Sequence, residues 1–269
     1  IVLTTLLSVI AVIASWTAIQ HRLREYMISL LFLQTGMLGV FVSLDLFLFY
    51  VFWEVMLIPA WLLVGRWGTD PTGRIPMKFF LYTLAGSLGM LLAVASLAFL
   101  PEGAPDLEFQ TLALRVGTLP SSPVLLLLFA LGFLVKVPLV PLHGWLVETY
   151  ENAPAPVTAL VAGAMSKAGV YGFLKVGLGV FPGLVPPLSA PLAALAILTL
   201  LYGAAGALAA RRVRQVLAWS SMSHMGMMML GVASMQPSGL AGSSLQMFNH
   251  GLTTGGLFLL VGLLEDRGV

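Results

Sequence analysis

The sequence predicts an all-α polytopic membrane protein, because its composition, its long apolar stretches and the placement of its basic residues all indicate helices in a bilayer. Of the 269 residues, 59% are hydrophobic and 9% are charged, whereas soluble domains carry about 25% charged residues. A membrane helix needs roughly 20 largely apolar residues, and such stretches recur along the chain. The net charge of +2 is too small and too dispersed to indicate nucleic-acid binding.

Polar residues and Pro/Gly-rich segments divide the chain into nine predicted membrane helices. Asp45 alone separates the second from the third, so we expect it to cap the third helix. The chain begins inside an apolar run, and we expect a single membrane domain over 1–269, truncated at both ends. The nine predicted spans are 1–19, 27–44, 46–65, 78–100, 122–142, 156–181, 190–209, 216–234 and 241–263.

The basic residues predict the orientation of these helices, since cytoplasmic loops collect lysine and arginine. If the loop with Arg22 and Arg24 is inside, and successive loops alternate between the two sides of the membrane, Arg115 is the one basic residue outside. Three lysines fall within spans, and all the others among the 13 basic residues lie inside. The longest outer loop is acidic and carries Glu102, Asp106 and Glu108.

Five ionisable residues lie within the predicted spans at similar depth. With a rise of about 1.5 Å per residue, each falls near the middle third of the membrane. A charged side chain at the centre of a helix costs about 2.5 to 3.5 kcal/mol, so we expect this layer to face its own members or water. Histidine suits proton transfer because its unperturbed pKa is about 6.5. The candidate proton-transfer residues are Glu54, Lys136, Lys167, His224 and His250.

Structural roles are the alternative for each member of this layer. Glu54 and Lys136 would then form a static ion pair, Lys167 would donate to backbone carbonyls, and each histidine would be a satisfied core residue. Lys175, two turns beyond Lys167, is expected near the outer rim, where a lysine can extend its ammonium group towards water.

Two prolines predict a break in the fifth helix near Lys136. Pro138 and Pro141 lack an N–H and clash with the preceding turn. The carbonyls freed in this way are tolerated at membrane depth only inside protein or beside a wet cavity, and broken helices are typical of transporter sites. The alternative is a simple proline kink. His143, beyond the break, is expected near the inner surface in a structural role.

The absence of cysteine and the glycine content limit the chemistry and the packing. With no cysteine in the chain, iron–sulfur ligation and disulfides are excluded, so any redox centre belongs to another chain. Small residues allow close approach of membrane helices. We expect this of Gly163, Gly169, Gly172, Gly203 and Gly206.

Four motifs of the chain lie at Phe52–Pro59, Lys136–Leu146, Ser220–Gly226 and Asn249–Leu259. They closely resemble, in the same order, motifs of subunit M, or chain 4, of bacterial NADH:quinone oxidoreductase, respiratory complex I. The resemblance covers essentially the whole chain. It implies an antiporter-like helix bundle with inverted five-helix repeats, each containing a broken transmembrane helix, that carries protons across the membrane. Residues 27–181 would form the first repeat, and 190–269 an incomplete second.

The resemblance also implies roles and partners. Glu54 would be the fifth-helix glutamate, Lys136 the lysine of the broken helix and Lys167 the eighth-helix lysine, with His224 and His250 continuing the polar axis. We expect approach of Glu54 to load Lys136 with a proton and its withdrawal to send that proton towards Lys167. FMN, iron–sulfur clusters and quinone would lie in partner subunits. The homologous L- and N-type subunits would be neighbours in a bacterial inner membrane.

One segment departs from the family pattern. Leu146–Tyr150 reads Leu-Val-Glu-Thr-Tyr where the family usually has Leu-Pro-Asp-Ala-His, which weakens a role for this loop. The following Ala153–Leu160 is similar to Mrp-type sodium/proton antiporters. A subunit of such an antiporter, or of a membrane-bound hydrogenase complex, is therefore an alternative function, and a passive membrane scaffold is another. The sequence leaves the coupled ion open.

Overall fold

The computed structural model describes residues 1–99, 106–117, 119 and 121–268. Leu100, at the end of the fourth predicted span, and Glu102, in the outer loop, lie outside the described residues. Within the described part the chain is helical. Its elements are α1 (Val2–Ala18), α2 (Leu23–Val42), α3 (Leu46–Val55), α4 (Leu57–Trp67), α5 (Arg74–Ala98), α6 (Phe109–Val116), α7 (Ser122–Lys136), α8 (Leu146–Asn152), α9 (Ala155–Leu160), a π-helix (Val161–Met165), α10 (Lys167–Gly172), a second π-helix (Phe173–Leu178), a 3-10 turn (Pro186–Leu188), α11 (Ser189–Ala209), α12 (Val213–Ala233) and α13 (Pro237–Glu265).

These helices make the protein a multi-pass membrane protein, as its composition predicts. In the described residues, seven helical segments are long and apolar enough to cross a bilayer, and two shorter apolar helices, α1 and α7, accompany them. Together they occupy the nine predicted spans. Two spans differ from the prediction. The helix of the fifth span ends at Lys136 instead of residue 142, and the helix of the third is interrupted at Met56.

The short helices α6 and α8 were not expected from hydropathy. They pack at opposite ends of the bundle, and each has too few residues to cross it. α8 is the helical continuation of the chain after the break that follows α7.

Ion pairs gather at the end of the bundle that the basic residues mark as inside. Glu148 of α8 pairs with Lys78 at 3.0 Å, and Glu265 at the end of α13 pairs with Arg214 at 2.6 Å. Each pair joins residues that the predicted alternation places on the same side. The inner loops are therefore held to one another by charge.

The opposite end is joined by backbone contacts. Leu46 donates its N–H to the Leu107 carbonyl at 2.9 Å, and Phe109 donates to the Leu44 carbonyl at 3.2 Å. Asp45 caps α3, as predicted, because its Oδ1 accepts from the Leu48 N–H at 2.9 Å.

Glycines allow helices of the core to approach closely. A Cβ atom on Gly169 would lie 2.8 Å from the Phe133 carbonyl, and one on Gly172 would lie 2.5 Å from the Phe133 ring. Contacts this short are also found at Gly163, Gly203 and Gly206. The predicted packing role of these five glycines is confirmed.

Candidate functional site

Glu54 lies beside an interruption in its own helix. α3 ends at Val55, and α4 begins at Leu57. Pro59 has no N–H to donate to the carbonyl four residues earlier, which accounts for the interruption. The Oε1 atom of Glu54 is buried and has no hydrogen-bond partner in the described part of the chain. The hydroxyl of Tyr50, one turn earlier, lies close to this carboxylate.

Lys136 is the last residue of α7 and is only 2% exposed. Its Nζ lies over the indole of Trp53, 4.9 Å from the ring centre, where the negative face of the ring attracts a cation. Glu54 is close enough to interact with Lys136 through its charge. No N···O distance of 4.0 Å or less joins these two described residues, so they do not form a static ion pair in this structure.

Hydrogen bonds stabilise the non-helical segment that follows Lys136. The chain leaves the helix over residues 137–145. The indole N–H of Trp145 donates to the Val135 carbonyl at 3.0 Å. The N–H of Val140 donates to Oγ1 of Thr199 in α11 at 3.0 Å. Backbone groups that the break exposes therefore find partners inside the protein, as burial requires.

Lys167 has three polar contacts in the core. It is 3% exposed and directly follows the π-helix Val161–Met165 and Ser166. Its Nζ donates to the Ala162 carbonyl, lies 3.4 Å from Ser166 Oγ and lies 2.6 Å from His250 Nδ1. The first contact fits a structural donor to a carbonyl. The last is a hydrogen bond to a second titratable group.

Two histidines extend the group of polar residues that begins at Lys167. His250 is 2% exposed, and its Nε2 is buried with no hydrogen-bond partner among the described residues. Its ring lies 5.4 Å from the ring of His224, centre to centre. His224 Nδ1 lies 3.2 Å from Gln246 Nε2. Lys167, His250, His224 and Gln246 thus form one polar row that joins α10, α13 and α12.

The predicted site residues fall into two groups. One contains Glu54 and Lys136 around Trp53, and the other contains Lys167, His250 and His224. Helices α7 and α10, which carry Lys136 and Lys167, pack closely where Gly169 faces the Val137 backbone. The structure therefore places both groups on neighbouring helices of one core.

Two other residues singled out by the sequence lie apart from this row. The ring of His143 packs against the ring of Tyr202 at 5.1 Å, in keeping with a structural role. Lys175 Nζ lies 5.0 Å from the ring centre of Phe109 in α6, near the outer end of the bundle.

Three residues that contact the predicted site residues were not identified from the sequence: Trp53, Ser166 and Gln246. Gln246 carries a signal that could have identified it, because it precedes His250 by four residues and so shares its helix face. Trp53 and Ser166 directly precede Glu54 and Lys167, but adjacency in a helix does not predict contact. Only the packing reveals their roles.

The chain is similar to known membrane proteins over most of its length. Residues 43–269 match the family model described as NADH:quinone oxidoreductase/Mrp antiporter, transmembrane. NADH-ubiquinone oxidoreductase chain 4 of Chondrus crispus is 39% identical over 99% of this chain and 54% of its own length. The chain therefore spans about half the length of the curated relatives it matches.

Solved structures resemble the fold over nearly the whole chain. A chain of respiratory complex I from Thermus thermophilus with bound NADH has a TM-score of 0.86 and 36% identity, covering 97% of this chain and 54% of that one. A chain of the Mrp complex from a Dietzia species has a TM-score of 0.85 and 26% identity, covering 98% of this chain and 49% of that one.

Proposed function

Because the chain belongs to the NADH:quinone oxidoreductase/Mrp antiporter transmembrane family, we propose that it is a proton-translocating, antiporter-like part of an NADH:quinone oxidoreductase, complex I. The observation that carries this proposal is the 2.6 Å contact between Lys167 Nζ and His250 Nδ1 in the buried core. It joins two groups that can each hold or release a proton. The oxidoreductase relatives at 34–39% identity support the choice of complex.

In this proposal a proton passes through the ring of His250. When the Lys167 ammonium donates to Nδ1, the neutral imidazole carries its own proton on Nε2. Transfer from Lys167 to Nδ1 then allows release from Nε2, so one proton enters the ring as another leaves it. Nε2 faces no acceptor among the described residues, which fits a nitrogen that meets its partner only during transfer. The ring of His224, 5.4 Å away centre to centre, lies in the direction of the next step.

Glu54 would control how tightly Lys136 holds its proton. Two unit charges attract by about 4 kcal/mol at 4 Å and by about 2 kcal/mol at 8 Å when the effective dielectric constant is about 20. A change of a few ångströms in their separation therefore changes the proton-binding constant of Lys136 by about thirtyfold. In this structure the two groups are beyond ion-pair distance. We propose that this is the arrangement in which Lys136 passes its proton towards Lys167.

The remaining chemistry belongs to other chains in this proposal. The chain has no cysteine, so iron–sulfur clusters would be held by partner subunits, together with FMN and quinone. The protein would act as one subunit of the enzyme, with its proton movement driven by electron transfer elsewhere. Its neighbours would be homologous L- and N-type subunits in a bacterial inner membrane.

Alanine substitution of the buried lysines tests the proposal in the full-length subunit within its parent complex. In inverted membrane vesicles given NADH, Lys136→Ala and Lys167→Ala each reduce acidification to about a tenth or less, since a positioned proton carrier contributes a factor of about 100 or more. Lys175→Ala is the matched control, because Lys175 also lies over an aromatic ring but outside the row. Vesicles of both core variants that acidify like the control would refute the proposal.

A second candidate is a sodium/proton antiporter subunit of Mrp type. The likeness to the Dietzia Mrp chain and the Ala153–Leu160 segment favour it. It predicts that an imposed sodium gradient drives proton movement without NADH, and that Lys136→Ala abolishes this exchange. A membrane-bound hydrogenase complex would require hydrogen-dependent pumping. A passive scaffold predicts that neutralising Glu54 and Lys136 together leaves pumping unchanged.

A further inference from the structure

The hydroxyl of Tyr150 is buried without a partner. Tyr150 lies in α8 and is 0% exposed, and its ring packs at the edges of Phe258 and Trp145. Its Oη forms no complete hydrogen bond with any described residue. A buried polar group left in this way has given up its hydrogen bonds to water without a replacement, which destabilises the fold. A phenylalanine would fill the same space without that cost, so the hydroxyl needs an explanation beyond packing.

Two serine hydroxyls surround this group. Tyr150 interacts with Ser166 and Ser221, although neither contact reaches full hydrogen-bond geometry. Ser221 Oγ, in α12, is likewise buried without a hydrogen-bond partner in the described chain. Ser166 Oγ lies 3.4 Å from Lys167 Nζ. Three hydroxyls, from α8, from α12 and from the residue that precedes α10, therefore lie next to one another, and that of Ser166 lies near Lys167.

Helix α8 also borders a large cavity at the inner end of the bundle. The cavity has a volume of about 800 Å³ and opens to the surface where the inner loops meet. Charged side chains line it on several sides, so it can hold water. Its polar lining includes Asp70, Glu148, Glu151, Asn152, Arg212 and Arg214. Three of these residues lie in α8, the helix that also carries Tyr150, and Arg214 lies in α12, the helix that carries Ser221.

We propose that Tyr150, Ser221 and Ser166 form a hydroxyl relay that carries protons from this inner cavity to Lys167. Each hydroxyl passes its proton to the next oxygen and receives one from behind, so every O–H bond that breaks is replaced. The last proton forms an N–H bond on the neutral amine of Lys167. This branch reaches Lys167 without passing Glu54 or Lys136, and it rests on the proposed function of Lys167 as a proton carrier.

Removal of a single oxygen tests the relay in the full-length subunit within its complex. Tyr150→Phe keeps the ring and removes the hydroxyl, and we expect NADH-driven acidification of inverted vesicles to fall by about tenfold or more. Tyr26→Phe is the matched control. The Tyr26 hydroxyl is also buried, but it is bonded to Ser15 at 2.9 Å, away from Lys167. Tyr150→His restores acidification, because an imidazole also accepts and donates protons, and loss of packing alone would not be repaired in this way.

The outcomes separate the relay from the proposed function. If Lys167→Ala abolishes acidification while Tyr150→Phe acidifies like Tyr26→Phe, the relay is wrong and the function of Lys167 stands. If Lys167→Ala acidifies normally, the proposed function fails first. If Tyr150→Phe prevents assembly, Ser221→Ala decides, with Ser221→Thr as its hydroxyl-retaining control. Equal acidification by that pair overturns the relay, and a loss confined to the alanine variant supports it.

Discussion

A methyl group at Gly251 should separate the two helices that hold Lys167 and His250 together. Gly251 directly follows His250 in α13, and a Cβ atom there would lie 2.6 Å from the Gly163 carbonyl oxygen. Ordinary van der Waals contact begins at 3.4 Å, so the backbones must move apart by about 0.8 Å. The same movement would lengthen the 2.6 Å contact between Lys167 and His250 to about 3.4 Å, longer than the 2.7 to 3.2 Å of a typical N–H···O hydrogen bond, so the contact would weaken.

Gly251→Ala should therefore impair both stability and proton transfer. Overpacking of a close contact costs about 1 to 3 kcal/mol, which would be measured as a lower Tm of the purified complex. NADH-driven acidification of inverted vesicles should fall with the amount of assembled complex. It should also fall per assembled complex, because the hydrogen bond between Lys167 and His250 is weakened. Gly256→Ala in the same helix is the control, since a Cβ atom there meets nothing within 4 Å. Equal Tm and equal acidification in the two variants would refute the reasoning.

Two further predictions concern the non-helical segment after α7 and the inner loop before α5. Trp145→Phe leaves the buried Val135 carbonyl without its indole donor. This change should destabilise the complex by about 1 to 3 kcal/mol, which would be measured as a lower Tm. An unchanged Tm would show that this hydrogen bond does not stabilise the complex. In the inner loop, the Ile75 N–H and then the Thr72 hydroxyl and N–H hold the pKa of Asp70 below its usual value. That stabilisation is present above the unfolded pKa of about 3.9 and is lost as pH falls through the lower folded value. The Tm difference between wild type and Asp70→Asn should therefore be constant from pH 7 to about pH 5 and shrink in more acidic solution. A difference that grows on acidification would contradict this sign.

The sequence predicts features that depend on local chemistry. Prolines predict the end of α7 at Lys136, because a missing N–H acts within one turn of its own position. Asp45 predicts its cap for the same reason. Hydropathy predicts the number of spans, since each span meets the bilayer separately. These predictions need no knowledge of which helices are neighbours.

Contacts between distant segments could not be predicted in the same way. Lys167 and His250 are 83 residues apart in the chain, and a shared depth indicates only that they lie at one level of the membrane. The separation of Glu54 from Lys136 depends on how Trp53 fits between α3 and α7. The π-helix before Lys167 contains no proline, so the sequence gives no signal for it. The roles of all five residues in proton transfer stay predictions.

The unpartnered atoms of Glu54 and His250 favour a proton relay over a passive scaffold. Charges that only hold helices together should have their hydrogen bonds satisfied, because each buried group left unpaired costs about 1 to 3 kcal/mol. Lys167, with three polar contacts, would meet this expectation by itself. Glu54 Oε1 and His250 Nε2 do not meet it among the described residues, and each belongs to a group that must change partners if protons move. Part of this cost therefore falls on atoms that a proton pathway requires to be free, although His143 Nδ1 and Ser243 Oγ, outside the row, are also buried without a partner among the described residues.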